Sequence, residues 1–418
     1  MEPKQPVLSP FSGYQKFIIA MLALLQFTVI LDFMVLSPLG DILMKSLDII
    51  PARFGLVVSS YAFSAGISGI LAAGFADKFD RKKLLLFFYA GFIIGTLCCA
   101  TANSYTMLLI ARIVTGLFGG VIGSVSMAIM TDLFEVHQRG RVMGFIQMSF
   151  AASQVLGIPI GLYIANAWGW HAAFTMIVIA GVCIFLLAFF RMKPVDKHLA
   201  IQSDKHPFLH LWHTLSNKRY QTGFTATAFL SIGGFMLMPF GSAFLINNVN
   251  IMQEQLPIVF MATGIASIVI MPLIGKLSDK IDKYNLFVFG STVAIIMVLI
   301  YTNITPIPLW QVILINMIMF MGIMSRMIPA TTLTTSVPQM KDRGAFMSIN
   351  SSLQQMAGGF AAICAGLIVT QPTKHSPLQH YNTLGYVVSL VIVICAFLVF
   401  RVYKMVKGEQ EYAIPVQG

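Results

Sequence analysis

Asp77-Lys78-Phe79-Asp80-Arg81-Lys82 follows one long apolar stretch, and Asp279-Lys280-Ile281-Asp282-Lys283 follows another, 202 residues later. A duplicated basic turn behind apolar segments reads as two copies of one membrane bundle within a single chain. A second pair supports the repeat. Arg139-Gly140-Arg141-Val142-Met143-Gly144 and Arg343-Gly344-Ala345-Phe346-Met347-Ser348 lie 204 residues apart. Two unrelated motifs that keep nearly one offset are far harder to obtain by chance than either alone.

Composition explains what separates the copies. The 418 residues are 57% hydrophobic and only 10% charged, against about 25% charged for a soluble domain. Such a chain cannot cover its surface against water, so lipid is its solvent. Formal net charge is +11, but the basic residues sit in alternate inter-helix loops, which points to membrane topology and excludes nucleic acid as a partner. The five cysteines, Cys98, Cys99, Cys183, Cys364 and Cys395, all lie in apolar runs and read as packing residues.

Twelve apolar runs are long enough to span about 30 Å as helices. They are expected at 17–40, 54–75, 84–102, 105–130, 142–166 and 171–191, then at 221–247, 255–277, 285–303, 309–332, 344–369 and 383–404. The first is too long for a signal-peptide core and reads as a retained helix. Lys78, Arg81, Lys82, Lys83, Arg139, Arg141 and their counterparts fall on one side, while the opposite loops hold Lys45, Arg53 and Lys374. Both termini are therefore expected in the cytoplasm. The fold class that follows is an all-α membrane protein, with twelve transmembrane helices in two pseudo-symmetric six-helix bundles. Residues 1–191 form the first bundle, 192–220 a cytoplasmic interdomain loop, 221–404 the second bundle and 405–418 a tail. Within the loop, Pro207 to Trp212 reads as an amphipathic interfacial helix. His206, His210 and His213 share one face of it, but no acidic or cysteine partner is near, so no metal site is assigned.

These residues resemble the major facilitator superfamily, specifically its twelve-span drug/proton antiporter branch. The family pattern G-x-L-A-D-R-x-G-R-K reads here as Ala73-Gly74-Phe75-Ala76-Asp77-Lys78-Phe79-Asp80-Arg81-Lys82, with both family glycines replaced. A fourth-span pattern appears as Arg112-Ile113-Val114-Thr115-Gly116. A fifth-span pattern appears as Gly157-Ile158-Pro159-Ile160-Gly161, followed by Gly169-Trp170-His171. This form is similar to sugar-efflux and chloramphenicol-efflux transporters, which more often carry arginine where His171 stands. The resemblance implies alternating access, export rather than uptake, and a latch between Asp77 and the start of the eleventh span in the outward-open state. Arg81 and Arg141 are its candidate cationic partners, Asp279 is the second copy, and Gly157, Pro159 and Gly161 are gating positions. The plain alternative is a hydrated, topology-setting loop.

Asp32 stands out on physical grounds alone, because a charge at helix centre costs about 2.5–3.5 kcal/mol and is retained for a reason. At about 1.5 Å per residue, Asp32 and Arg112 fall at similar depths in the outer half of a roughly 30 Å layer, so the two can meet. Burial favours the protonated carboxyl and a nearby guanidinium favours the charged one, so an Asp32 that alternates between them couples protons to conformation. The alternatives are a permanent structural ion pair and direct substrate contact. Arg326, in the inner half of the tenth span, can contact substrate, brace a gate or snorkel to the surface. Net positive charge at depth disfavours cations. Gln26, Tyr61, Gln147, Gln154, Asn316, Asn350 and Gln354 complete the candidate polar lining, although each can equally be an interhelical hydrogen-bonding residue.

No Ser/His/Asp, Cys/His or metal-ligand set recurs at membrane depth, which argues against an enzyme. The expected function is proton-coupled export of a small neutral, polar or anionic compound, drug- or sugar-like, by a monomer in a bacterial inner membrane. Its partners are substrate, protons and lipid, with the proton gradient in place of any cofactor. The alternatives are an uptake permease of the same fold and a non-transporting scaffold or sensor.

Overall fold

A computed structural model describes residues 11–72, 75–196, 199, 207–339 and 342–413. Among them the chain is helical throughout, with one isolated β-bridge between Thr370 and Gln379. The first half comprises α1 (Gly13–Val35), α2 (Gly40–Leu47), α3 (Pro51–Ala72), α4 (Arg81–Ala100), α5 (Tyr105–Leu133), α6 (Val136–Ala152), α7 (Ile158–Trp168) and α8 (Trp170–Arg191). After α9 (Pro207–Ser216) come α10 (Lys218–Phe235), α11 (Gly241–Asn247), α12 (Leu256–Lys280), α13 (Lys283–Tyr301), α14 (Leu309–Thr335), α15 (Arg343–Ile368) and α16 (Tyr381–Ala413).

The expected spans are present to within a few residues, with physical refinements. The first and seventh break at Pro38 and Pro239, leaving α2 and α11 as short outer pieces. Proline has no amide proton to continue the ladder, so each break follows from local chemistry. The fifth carries a π-helical turn at Ser153–Gly157, where the Ile158 amide reaches back to the Ser153 carbonyl. Pro159 directly follows and cannot donate to Val155, so the ladder takes up one extra residue there. The twelfth runs on to Ala413, beyond the expected end at 404.

Eleven helices among the described residues are apolar and long enough to cross a membrane, and α15 is the exception. It is 26 residues long but carries Asn350, Ser351, Ser352, Gln354 and Gln355. Lipid does not have to accept that surface, because α3 and α10 cover much of it. Elsewhere the outer surface is apolar: Phe190, Leu367 and Phe397 are 74%, 70% and 70% exposed, as a hydrocarbon solvent requires.

Three hydrophobic cores reveal the conformation. One is shared: Leu39, Phe54, Leu108 and Phe174 of the first half pack with Phe240, Tyr301, Ala361 and Tyr381 of the second. Another belongs to the first half alone, through Ile18, Leu22, Tyr89, Val125 and Ile184. The third belongs to the second half alone, through Tyr220, Phe224, Phe287, Phe346 and Val399. The halves are thus joined at the end of the loops before α3 and α16, and separate at the end where α1 begins and α16 finishes. Backbone contact makes the joint. A Cβ on Gly55 of α3 would lie 2.6 Å from the Ala362 carbonyl oxygen, and one on Gly366 of α15 would lie 2.9 Å from that of Pro51. Small residues let the two helices approach this closely.

The duplicated loop has a local role that its spacing does not reveal. Asp80 accepts the Lys82 amide at 2.8 Å and caps α4. Asp282 accepts the amides of Tyr284 and Asn285 at 2.9 and 3.1 Å and caps α13. Both second aspartates of the duplicated loop therefore serve as helix caps. Asp282 also accepts the Tyr403 hydroxyl at 2.7 Å, which fastens α16. Partial burial works to raise this carboxyl, but the hydroxyl, the two amides and the Lys407 charge outweigh it and hold it below its ordinary value. Its contribution is present above the unfolded carboxylate value and is lost as pH falls through the lowered one. Asp282→Ala is expected to cost about 0.5–2 kcal/mol, as loss of an N-cap does, read as a lower thermal midpoint at neutral pH.

Candidate functional site

Glycines on α4 and α5 draw three helices close enough to build a buried polar centre. A Cβ on Gly116 would lie 2.1 Å from the Ser64 hydroxyl of α3, and one on Gly95 would lie 2.8 Å from the Thr115 amide. Asp32 of α1 and Arg112 of α5 meet there, with Nη1 to Oδ2 at 2.7 Å and both side chains 0% exposed. Nη1 also donates to the Asp32 carbonyl at 3.3 Å, and the Thr96 hydroxyl of α4 donates to Oδ1 at 3.2 Å. The guanidinium stacks 4.5 Å from the ring centre of Tyr61 on α3, a cation–π contact.

The pair is sealed rather than exposed to the cleft. Tyr61 packs on Phe33 at 5.3 Å, and Phe33 meets Phe235 of the second half edge-on at 6.1 Å. Phe33 and Phe235, with Ser37, Val58, Met238 and Ala362, line a small cavity between the halves. A carboxylate and a guanidinium so buried are held only by excellent mutual geometry, and loss of either leaves an uncompensated charge.

Beyond this cavity, the short pieces α2 and α11 form a clasp across the joined end. Asn247 donates to Asp41 at 2.6 Å, and Lys45 donates to Asp41 at 2.7 Å and to Asn247 at 3.3 Å. The Ser242 hydroxyl reaches the Ser37 carbonyl at 3.0 Å, while the Ser37 hydroxyl bonds to Met238. Asn166 and Gln253 exchange two further hydrogen bonds, at 3.2 and 2.9 Å. Sequence reading missed this clasp. The available signal was Pro38-Leu39-Gly40 and Pro239-Phe240-Gly241, 201 residues apart and so part of the repeat. Asp41→Ala removes two of these contacts and is expected to favour opening at this end by about 1–3 kcal/mol. Faster thiol labelling of a cysteine placed at Ser242 would report it.

Two bundles joined at one end, with an ion pair buried beside the joint, match a known architecture. A family model described as Major Facilitator Superfamily matches residues 22–362. The chain belongs to this superfamily. It is similar to the uncharacterized MFS-type transporter YbcL of Bacillus subtilis, at 23% identity covering 92% of this chain and 95% of that protein. It is also similar to a probable sugar efflux transporter of Helicobacter acinonychis, at 24% identity over 60% of this chain and 63% of that one. A solved bacterial homolog of the human lysosomal transporter Spinster, inward-facing and occupied, superposes with a TM-score of 0.76 at 14% identity. It covers 94% of this chain and 98% of that one. The protein is an integral membrane transporter.

The remaining predicted residues divide by location in the transporter. Gln26, Gln154 and Gln354 are half-buried on α1, the π turn and α15, and Asn350 is buried on α15. The side-chain oxygens of Gln154 and Asn350 are buried without a hydrogen bond among the described residues. Gln147 is exposed on α6, and half-buried Asn316 donates to the Val312 carbonyl of its own helix at 2.9 Å. Arg326 is brought against α10, α13 and α16, inside the second half and away from the Asp32 pair.

The gating candidates stay within their own halves. Arg81 bonds to Asp132 at 3.3 Å and to the Ala76 carbonyl at 3.0 Å, and Arg141 lies 3.6 Å over the Phe11 ring. Asp279 is exposed at the end of α12. The Asp77 side chain, and Ala73 and Gly74 beside it, lie outside the described residues, as does His206. Asp342, at the start of α15, is held by Tyr220 at 2.8 Å and His210 at 3.0 Å. The fifth-span glycines have near neighbours in the first span. Gly157 packs on Leu31 and Gly161 on Val35, both in the first span. The fifth span also meets the other half, where Gly264 of α12 packs against the backbone of Gln154 and Val155.

Proposed function

We propose that this transporter is a proton-coupled exporter of small polar organic compounds, neutral or anionic, acting by alternating access as a monomer in a bacterial inner membrane. The observation that carries this reading is the sealed Asp32–Arg112 pair, set beside the joint where the halves must part. The excess of Lys and Arg at the open end orients that end, with both termini, toward the cytoplasm. Substrate enters the cleft from that side. Opening of the clasp and the α3–α15 joint then admits outer water to Asp32, which takes up a proton as its bond to Arg112 breaks. Return to the present conformation re-forms the pair and delivers the proton inward, so each cycle exchanges protons for substrate.

The unpaired side-chain oxygens of Gln154 and Asn350 support a substrate rich in hydroxyl or amide donors. The sugar efflux relative supports export. Proteoliposomes with an imposed pH gradient test the reading: sugars, amphenicols and small acids are screened for substrate-induced proton movement. Proton efflux from acid-loaded vesicles on addition of a neutral polyol or amphenicol is the expected result. Transport that ignores the gradient, or robust transport of quaternary ammonium dyes, would sink it.

A further inference from the structure

Arg326 is fully buried in α14, yet its Nε, Nη1 and Nη2 atoms find no oxygen or nitrogen acceptor among the described residues, and the polar group that faces them is the weakly accepting Cys395 thiol. Four helices close around it. A Cβ on Gly233 of α10 would come within 3.3 Å of Nη1, and one on Gly290 of α13 within 2.7 Å of the Arg326 amide. The Phe287 ring of α13 lies 6.0 Å from the guanidinium carbon, and the Cys395 thiol of α16 stands beside it. Among the described residues no carboxylate shares its depth: Asp282 caps α13, Glu409 and Glu411 lie in the last turns of α16, and Asp279 and Asp342 lie at the ends of the neighbouring α12 and α15. The contrast with Arg112 is plain, since that guanidinium has Asp32. An uncompensated buried cation costs several kcal/mol, and a fold that retains one supplies a counter-charge.

The surroundings indicate what that counter-charge is. The hydroxyls of Thr227, Ser291 and Ser325 are also buried without partners. Ser325 adjoins Arg326, and Ser291 follows the glycine that touches its amide. Thr227 follows Ala226, whose carbonyl accepts the Cys395 thiol at 3.9 Å. A buried cation, unpartnered hydroxyls on the same packed helices α10, α13 and α14, and no carboxylate at that depth together favour an anion as the missing group. The close approach at Gly233 and Gly290, and the complete burial of Arg326, exclude a ligand of substrate size. We propose that Arg326, with the hydroxyls of Thr227, Ser291 and Ser325, forms an internal site for one small monovalent anion of the halide class, which completes the second half as Asp32 completes the first.

The site is independent of the proton-coupling reading, and its test is thermal rather than transport-based. The purified full chain is unfolded in chloride, bromide or gluconate at one ionic strength. The midpoint is expected to rise with the logarithm of chloride or bromide concentration, as ligand linkage requires, and to be flat in gluconate. Arg326→Gln is expected to abolish the halide dependence. Should that variant fail to fold, Ser291→Ala is expected to raise the half-saturating halide concentration several-fold. A wild-type midpoint indifferent to halide overturns the proposal. So does an equal salt response in Arg326→Gln, or stabilisation by acetate and benzoate with none by halide, which would reassign the arginine to an organic carboxylate.

Discussion

Asp32→Asn is expected to abolish uptake or efflux driven by a pH gradient while substrate counterflow at equal pH continues. The substitution keeps the shape of the side chain and its contact with Thr96, 3.2 Å away, but removes the group that exchanges a proton. It also leaves Arg112 charged at a site that is 0% exposed. Breaking one side of such a pair costs about 3–5 kcal/mol, so a clear fall in thermal midpoint accompanies the loss of coupling. Asp32→Asn/Arg112→Gln is expected to recover much of that stability without recovering coupling. The double variant separates the two meanings of the pair. If it transports with normal pH-gradient dependence, the pair is structural and the proton site lies elsewhere.

Gly55→Leu should have the second large effect, on conformation rather than chemistry. A Cβ there would sit 2.6 Å from the Ala362 carbonyl oxygen, and Gly366 lies 3.4 Å away on the same face of α15. Neither neighbour is a side chain that can turn aside, so α3 and α15 must separate. The joined end then cannot close, and the population shifts toward the state open on that side. Spin labels at exposed Asn103 and Asn303, in loops of the two halves at that end, are expected to move apart. Transport is expected to fall by on the order of tenfold or more, because a cycle needs both states. Gly55→Ala, with the smaller side chain, should give an intermediate distance distribution. Unchanged label distances in a folded Gly55→Leu protein would refute the role assigned to this joint.

Much of this was legible in the chain, for reasons that differ by feature. The spans follow from hydropathy because lipid accepts no unpaired backbone, so any long apolar run must be helical. The proton-site candidates stood out because a charge inside such a run is costly wherever it packs. Depth counting brought Asp32 to the level of Arg112 because helical rise is nearly constant. The clasp was less visible. Asp41, Lys45 and Asn247 lie at the ends of apolar runs, where polar residues are unremarkable until two short helices from opposite halves are seen to interlock. The fifth-span glycines were legible as gating positions, but not which neighbour each one faces. Gly264 of the other half meets the π turn before Pro159, and no residue count fixes a helical phase across an irregular turn.

The duplicated loop shows the boundary most clearly. Sequence alone determined that the chain holds two copies of one helical unit, since nearly equal offsets of 202 and 204 residues follow from duplication whatever the packing. It also determined that charge is confined to helix ends apart from Asp32, Arg112 and Arg326. Tertiary structure alone decided which end of the cleft is closed, that Asp80 and Asp282 cap helices, and that Arg112 met a carboxylate while Arg326, among the described residues, did not. Periodicity and hydropathy are properties of a segment and its solvent. Pairing across helices depends on their relative rotation and distance, which are set by contacts between residues far apart in the chain.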